Sequence, residues 1–544
     1  MSAVLSPKDI EAAKRLYSLK GALMTARNGT VHSGRPLYLW GVWLIATVVA
    51  SMPLFVSSIP PLGQHFYNIV RVDILAHPGS YAGNFIVRWD PLPDLAMDLT
   101  VPWIAQVMPV EWAAWLFIVV ELSLLSSGCL ILSRAVNGRW SWFPLVSFLL
   151  LYNWILIRGY DNFLFGVGLC LWAIALHVAL RQFTVARIIA SSCSALVIYF
   201  CHLFPLAVFA LVIGTWELGC LVQEGRLRSR SLFRHASASL VPLVLPVVLL
   251  AHSSTGGLRG SVDFGVVHIF AKVSRWLDVF AIGNPPADVA VLASLGLTLA
   301  VGFLMRWWTC KPECRITIIA LPLVALFAPF SAFASYGVVE RCALSFAFLL
   351  TALVDVRASA PRLQRAGALA LAIVFLFRIA TVTADWRAAK PAIQEYRSTF
   401  ASLKSGSVLF QYKQDTTYPS PRTAPHRWNP YLDKVVALAT LDRVLVPDLY
   451  LKAGQQPVLY RAENAPLRKF QDDIENGDKA FRANDGMLRA WAADLQDRFP
   501  DLQTRFTEVY LAVFDPQRRL SEPLTGWQLV ATLPEHRLYR MLPR

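Results

Sequence analysis

Residues 88–99, RWDPLPDLAMDL, place three carboxylates, Asp90, Asp94 and Asp98, at four-residue spacing, with Pro91 and Pro93 among them. On either side the chain is apolar over lengths able to cross a bilayer: 37–57 before it and 112–133 after it. An acidic segment between two such runs belongs to an extramembrane loop, here 58–111. The fold therefore turns on how many runs follow and on which side of the membrane this loop lies.

The composition agrees with a membrane protein. The 544 residues are 55% hydrophobic and only 16% charged, and mean hydropathy is +0.46, outside the range of water-soluble domains. A net charge of +15 could point to nucleic acid, but in a chain with many spans it more often reports Lys and Arg held in cytoplasmic loops. Apolar runs recur at 37–57, 112–133, 140–157, 163–180, 188–202, 203–222, 236–252, 289–304, 316–333, 337–354 and 366–383. Basic residues crowd alternate loops: the N-terminal tail 1–36, Arg134 and Arg139, Arg181 and Arg187, the run from Arg226, Lys311 and Arg315, and Arg357 to Arg365. By the positive-inside rule the tail is cytoplasmic, and eleven spans put the C-terminus outside. The tail has no short apolar core before a cleavage site, so it does not read as a signal peptide.

The expected organisation is an α-helical polytopic membrane protein, with a cytoplasmic tail 1–36, a transmembrane domain 37–384 and an extracytoplasmic α/β domain 385–544. In the last, SVLFQY and FTEVYLAVF read as strands, PYLDKVVALATLDRVL and NDGMLRAWAADLQDRF as amphipathic helices, and WQLVATLPEHRLYRML as a hairpin. The first loop is expected to lie along the membrane as short amphipathic helices. All eight cysteines fall between Cys129 and Cys342, which argues against a disulfide-stapled outer domain, and CKPEC lacks the partners of a zinc site. Beyond the spans only His426 and His536 remain, too few for a metal-dependent phosphoethanolamine-type transferase. No glycine-rich nucleotide loop is present.

Ionisable groups at span edges are costly and mark function. Under this topology Arg158, Asp161, Asn162, His202, Glu340, Arg341 and Arg378 all converge on the outer leaflet, the side of the acidic loop. Glu121 and His177 do not fit that pattern and read as interhelical hydrogen-bonding groups. Arginines at a membrane edge suit a phosphate, and a loop carboxylate above them suits a general base for inverting sugar transfer.

This layout resembles the GT-C superfamily of membrane glycosyltransferases, which includes oligosaccharyltransferases, protein mannosyltransferases and the aminoarabinose transferase acting on lipid A. The resemblance implies a polyprenyl-phosphate-linked sugar donor, an envelope glycan or lipid acceptor and a base in the first outer loop. It also implies a bacterial inner membrane. Within IPPLGQHFYNIVRVDIL (59–75), Gln64 stands where the resemblance leads one to expect an acid, so Asp73 or Asp90 is expected to serve as base. Arg158, Arg341 and Arg378 are expected to hold the donor phosphate, with His65, Asn68, Asp161, Asn162, His202 and Glu340 lining the site. A divalent cation could sit between two loop carboxylates and Asn68. Asp90 before Pro91 also reads as a helix cap, leaving Asp94 and Asp98 on the solvated face of that helix. Two other readings stand beside transfer: a flippase or transporter for a lipid-linked substrate, and a non-catalytic partner in polysaccharide assembly. Neither involves nucleic acid.

Overall fold

The computed structural model describes residues 35–225, 229–257, 269–332, 335–356, 361–413, 432–475, 485–515 and 524–543. Most of the basic N-terminal tail and the start of the 226 run lie outside these residues. The chain divides into two compact units, Met1–Ala46, helical over its described part, and Thr47–Arg544.

Among the described residues, eight helices are long and apolar enough to cross a membrane. They are built on α1 (Arg35–Ser51), α4 (Val110–Asn137), α5 (Asp161–Ala179), α6 (Thr184–Cys201), α7 (Leu203–Glu224), α8 (Ser229–His252), α10 (Pro285–Leu304) and α13 (Pro361–Ala401). The remaining three expected runs hold shorter apolar pieces: Phe143–Ile157, α11 (Arg315–Phe327) and α12 (Val338–Leu353). Between α2 (His65–Ala76) and α4 lies α3 (Ala96–Ala105), and α9 (Ile269–Asp278) precedes α10.

Helices α4 and α5 run parallel and pack closely, because Phe117 stacks on Phe165 at 4.6 Å and Gly128 and Gly168 admit the facing helix. A Cβ on Gly128 would come within 2.8 Å of the Leu171 Cβ, and one on Gly168 within 2.7 Å of the Leu124 Cβ. The intervening return is not a regular helix. It is a 3₁₀ segment, Phe143–Leu150, a break, and one turn, Trp154–Ile157. A broken backbone within lipid must find its hydrogen bonds locally. Asn153 supplies them: its side chain accepts from the Ile155 and Leu156 amides and donates to the Leu150 and Leu151 carbonyls at 2.9 and 3.0 Å.

The first loop differs from its expected surface disposition. Ten of the twelve residues of α2 are buried, because α2 is packed between α3, α4 and the C-terminal 3₁₀ segment Leu432–Asp442. Apolar side chains of the loop are exposed at Leu99 and Trp103 of α3, at Val107 and Met108 just after it, and at Ile86 and Trp89 before it. Asp90 caps no helix: the chain stays irregular from Asp90 to Leu95, with Asp94 in the left-handed region at φ 76°, and α3 starts at Ala96. Two prolines in four residues hold this stretch out of a helix.

Helix α13 is 41 residues long and runs without interruption across the boundary expected near Asp385. It leads to a four-stranded sheet ordered Val408–Lys413, Val509–Phe514, His536–Met541, Trp527–Thr532; the first pair is parallel and the others antiparallel. The hairpin and both strands expected from sequence are therefore present, as is the helix Asp485–Arg498, whereas the expected helix before Arg443 is 3₁₀. The first loop also contributes a strand, Phe85–Val87, paired antiparallel with Val458–Tyr460. One hydrophobic core runs from α2 through the end of α13 into the sheet.

Loop and bundle are fastened at Gly159. The Gly63 and Gln64 amides donate to the Ile157 and Arg158 carbonyls at 3.0 and 2.8 Å. Gly159 has φ +72°, and a Cβ there would lie 2.5 Å from the His65 amide nitrogen. A Gly159→Ala variant is expected to lose at least about 1–3 kcal/mol to backbone strain alone, read as a lower unfolding temperature in detergent, while Gly138→Ala, whose Cβ meets nothing within 4 Å, is expected to lose less.

Candidate functional site at the loop end of the bundle

His65, Asn68 and Arg71 recur every third residue of α2 and so share one face, turned toward the start of α5. His65 Nδ1 lies 2.8 Å from Asp161 Oδ2, and Asn68 donates to the same oxygen at 3.0 Å and to the Gly159 carbonyl at 3.3 Å. Arg71 donates to Asn68 Oδ1 at 3.0 Å and grips Asp98 with Nε and Nη2 at 2.6 and 3.1 Å. Asp98, expected on a solvated face, is 1% exposed for this reason. Asn162 closes the set from α5, accepting from the Met97 amide and donating to the Asp94 carbonyl.

Asp94 is the exception in this paired group. Half-buried, it makes no side-chain ion pair among the described residues, in contrast to Asp98. Burial pushes its carboxyl up to about 7; Arg71, Asn162 and Arg341 pull the other way, and the Asp98 charge adds to the rise. An acid that titrates near neutrality at the edge of a polar site can take up and release protons under working conditions.

Beside it stands a group of cations around Tyr160. The Arg341 guanidinium is 4.6 Å from the Tyr160 ring centre and 3.3 Å from His202 Nε2, and that of Arg158 is 5.6 Å from the same ring. Lys434, from the C-terminal 3₁₀ segment, lies over Tyr67 of α2. Burial alone would push the Tyr160 phenol up, but Arg158, Arg341 and Lys434 outweigh it and hold the phenol below its ordinary value. Burial draws Lys434 below the usual lysine range, with Arg158 and Lys413 adding to the effect.

Of the residues expected from sequence, His65, Asn68, Asp161, Asn162, Arg158, Arg341 and His202 are brought together. The others are elsewhere. Asp73 lies on α2 away from Arg71 and is held by the Tyr81 hydroxyl, His77 and Arg443. Asp90 pairs with Arg88 at 3.5 Å and accepts from Ser254. Arg378, expected at the donor phosphate, is committed to the protein: it meets Asp288 at 2.5 Å and the Tyr152 and Phe280 carbonyls at 2.9 and 2.5 Å, satisfying the broken span. Glu340 pairs with Arg275. Asn68 Oδ1 accepts from Arg71 and its amide nitrogen donates to Asp161, and no group of three His, Cys, Asp or Glu suited to a metal occurs among the described residues. Sequence reading missed Asp94, Arg71, Tyr160 and Lys434. The three-residue spacing of His65, Asn68 and Arg71 was a usable signal for Arg71; Lys434 had none, since only tertiary folding brings it there.

Away from this site, His177 bridges Ser191 and Glu217 at 2.8 Å each, between helices as expected, and Arg187 and His235 complete the pairing of Glu217. Glu121 differs: neither carboxyl oxygen has a hydrogen-bond partner among the described residues.

No protein-family model and no curated protein matches the chain. Among solved structures, the chain is similar to ArnT from Cupriavidus metallidurans bound to undecaprenyl phosphate, at a TM-score of 0.47 and 12% identity over 94% of this chain and 98% of the other. The apo form of that protein gives 0.49 and 12% over 93% and 98%.

The Arg71–Asp98 pair is buried, and removing one member strands the other's charge. Arg71→Met is expected to destabilise the protein by about 3–5 kcal/mol, while Arg71→Met combined with Asp98→Leu is expected to recover much of that loss. Chemical unfolding of the three purified proteins measures the coupling.

Proposed function

We propose that this chain is a membrane glycosyltransferase that draws its sugar from a polyprenyl-phosphate-linked donor and passes it to an envelope glycan or lipid on the periplasmic face of a bacterial inner membrane. The observation that carries the reading is the gathering, at one end of an apolar bundle, of a carboxyl titrating near 7 and a cluster of three cations. The two parts match the two demands of the reaction. A lipid-linked donor presents its phosphate at the membrane edge, where Arg158, Arg341 and Lys434 supply positive charge to hold it and to stabilise the charge left on it as the glycosidic bond breaks. The acceptor hydroxyl must lose a proton as it attacks, and Asp94 is the carboxylate suited to take it.

In this scheme Asp94 takes the place that sequence reading gave to Asp73 or Asp90. Gln64, where an acid was expected, heads α2, and its amide is tied to the Arg158 carbonyl. The polar chain from His65 to Asp98 positions: it anchors α2 and holds the Asp94 backbone through Asn162. A flippase reading draws on one specific feature, the unpartnered Glu121 within a span, since an intramembrane acid is a common element of transport.

The test is a mass profile of envelope glycans from a strain lacking the protein, complemented with wild type, Asp94→Asn or Asp73→Asn plus Asp90→Asn. Loss of one defined sugar increment on deletion, restored by wild type and by the double variant but not by Asp94→Asn, is the expected result. No glycan change on deletion would overturn transfer; restoration by Asp94→Asn would remove Asp94 from it.

The base must be ionised to act, so the transfer rate is expected to rise with pH, half-complete near 7, and to level off above. Stability moves the opposite way. Because the folded carboxyl holds its proton to higher pH than the unfolded one, ionising it between about 4 and 7 weakens the fold. Asp94→Asn should flatten that part of the stability profile.

A further inference from the structure

A second feature sits at the same end of the bundle, where α13 leaves the apolar region. Its residues Thr383, Arg387 and Lys390 face the 3₁₀ turn Met52–Val56 across a groove of about 400 Å³, walled by Met52, Phe55 and Val56. Arg387 and Lys390 are three residues apart and share one helix face. Neither has an ion-pair partner among the described residues. The neighbouring Asp385 is engaged by Asn284 instead. Met52 and Phe55 are 55% and 64% exposed and form the end of the first apolar helix, Pro36–Val56. The groove thus combines an apolar wall at the end of a membrane-length helix with two cations on the facing helix.

We propose that this groove binds the headgroup of an anionic phospholipid, whose phosphate is held between Arg387 and Lys390 while its acyl chains lie against Met52, Phe55 and Val56. The pairing of exposed apolar side chains at the end of a membrane-length helix with two cations facing them argues for a lipid over a soluble anion. Basic pockets between helices at a membrane edge recognise anionic headgroups by this combination. The site is separate from the Tyr160 cluster: neither Arg387 nor Lys390 is among the groups that hold Tyr160 or Asp94.

Native mass spectrometry of the full chain in neutral detergent tests the proposal, with phosphatidylglycerol, phosphatidylcholine and inorganic phosphate as probes. One phosphatidylglycerol is expected to be retained about 30-fold more tightly than phosphatidylcholine, since each basic residue near an anionic headgroup contributes about fivefold. Arg387→Gln with Lys390→Gln should abolish that preference, whereas Arg387→Lys with Lys390→Arg should keep most of it and shows that any loss is one of charge and not of fold. Equal retention of the two lipids, or an unchanged preference in the glutamine variant, would overturn the site. Binding of inorganic phosphate that displaces phosphatidylglycerol would overturn the lipid as occupant. None of these readouts depends on sugar transfer.

Discussion

An arginine cannot be taken out of water alone, and the burial of Arg71 on a largely covered helix organises the loop end of this protein. The charge of Arg71 is paired by Asp98, so α3 must lie against α2. Asn68, which Arg71 also uses, needs Asp161, and His65 needs it too, so the head of α5 is drawn to the same face. Asn162, the next residue, then finds the Asp94 carbonyl and Met97 amide. Three elements distant in sequence are aligned by one chain of hydrogen bonds, each member of which would be costly to leave unmade.

That pairing leaves a remainder, on which the proposed chemistry rests. Every buried acid in the chain from Asp161 to Asp98 is committed to a fixed partner, which serves structure. Asp94 borders the same group, touched by Asn162 but in no ion pair among the described residues, and is held in a left-handed backbone conformation between Pro93 and α3. Its half-burial raises its pKa, and the nearby guanidinium groups keep it from rising far above neutrality. The cations Arg158 and Arg341 lie against the Tyr160 ring, and C-terminal Lys434 adds its charge to theirs. Covering of α2 by the C-terminal segment therefore builds the core and completes the charge cluster together.

What could be read directly from the chain was set by periodicity and composition. Eight of the eleven apolar runs appear as helices long enough to cross a membrane, and strands such as Val408–Lys413 and Val509–Phe514 carried their own β-forming residues. Arg158, Arg341 and His202 were legible because a charge at the end of a span is conspicuous. Where reading failed, the competing forces were tertiary. Asp90-Pro91 is a fair helix start locally, but Pro93 and the demand of Asn162 for the Asp94 carbonyl hold the chain irregular. Asp94 and Asp98 looked equivalent at four-residue spacing, and only the approach of Arg71 separates them. Arg378 looked like its neighbours at the membrane edge; the broken backbone at Tyr152 that it satisfies could not be seen in the sequence.

Helix α13 carries a consequence for how such a chain can vary. At 1.5 Å per residue its 41 residues form a rod of about 60 Å. It enters the bundle through Arg378 and the outer core through Tyr396, whose hydroxyl meets His536 at 2.8 Å. With no loop between those two anchors, a single inserted or deleted residue would turn one relative to the other by about 100°. Length between them is therefore locked in a way that length in the surrounding loops is not. Lineages descended from such an ancestor would be expected to differ freely in loop size while keeping the Arg378-to-Tyr396 interval constant.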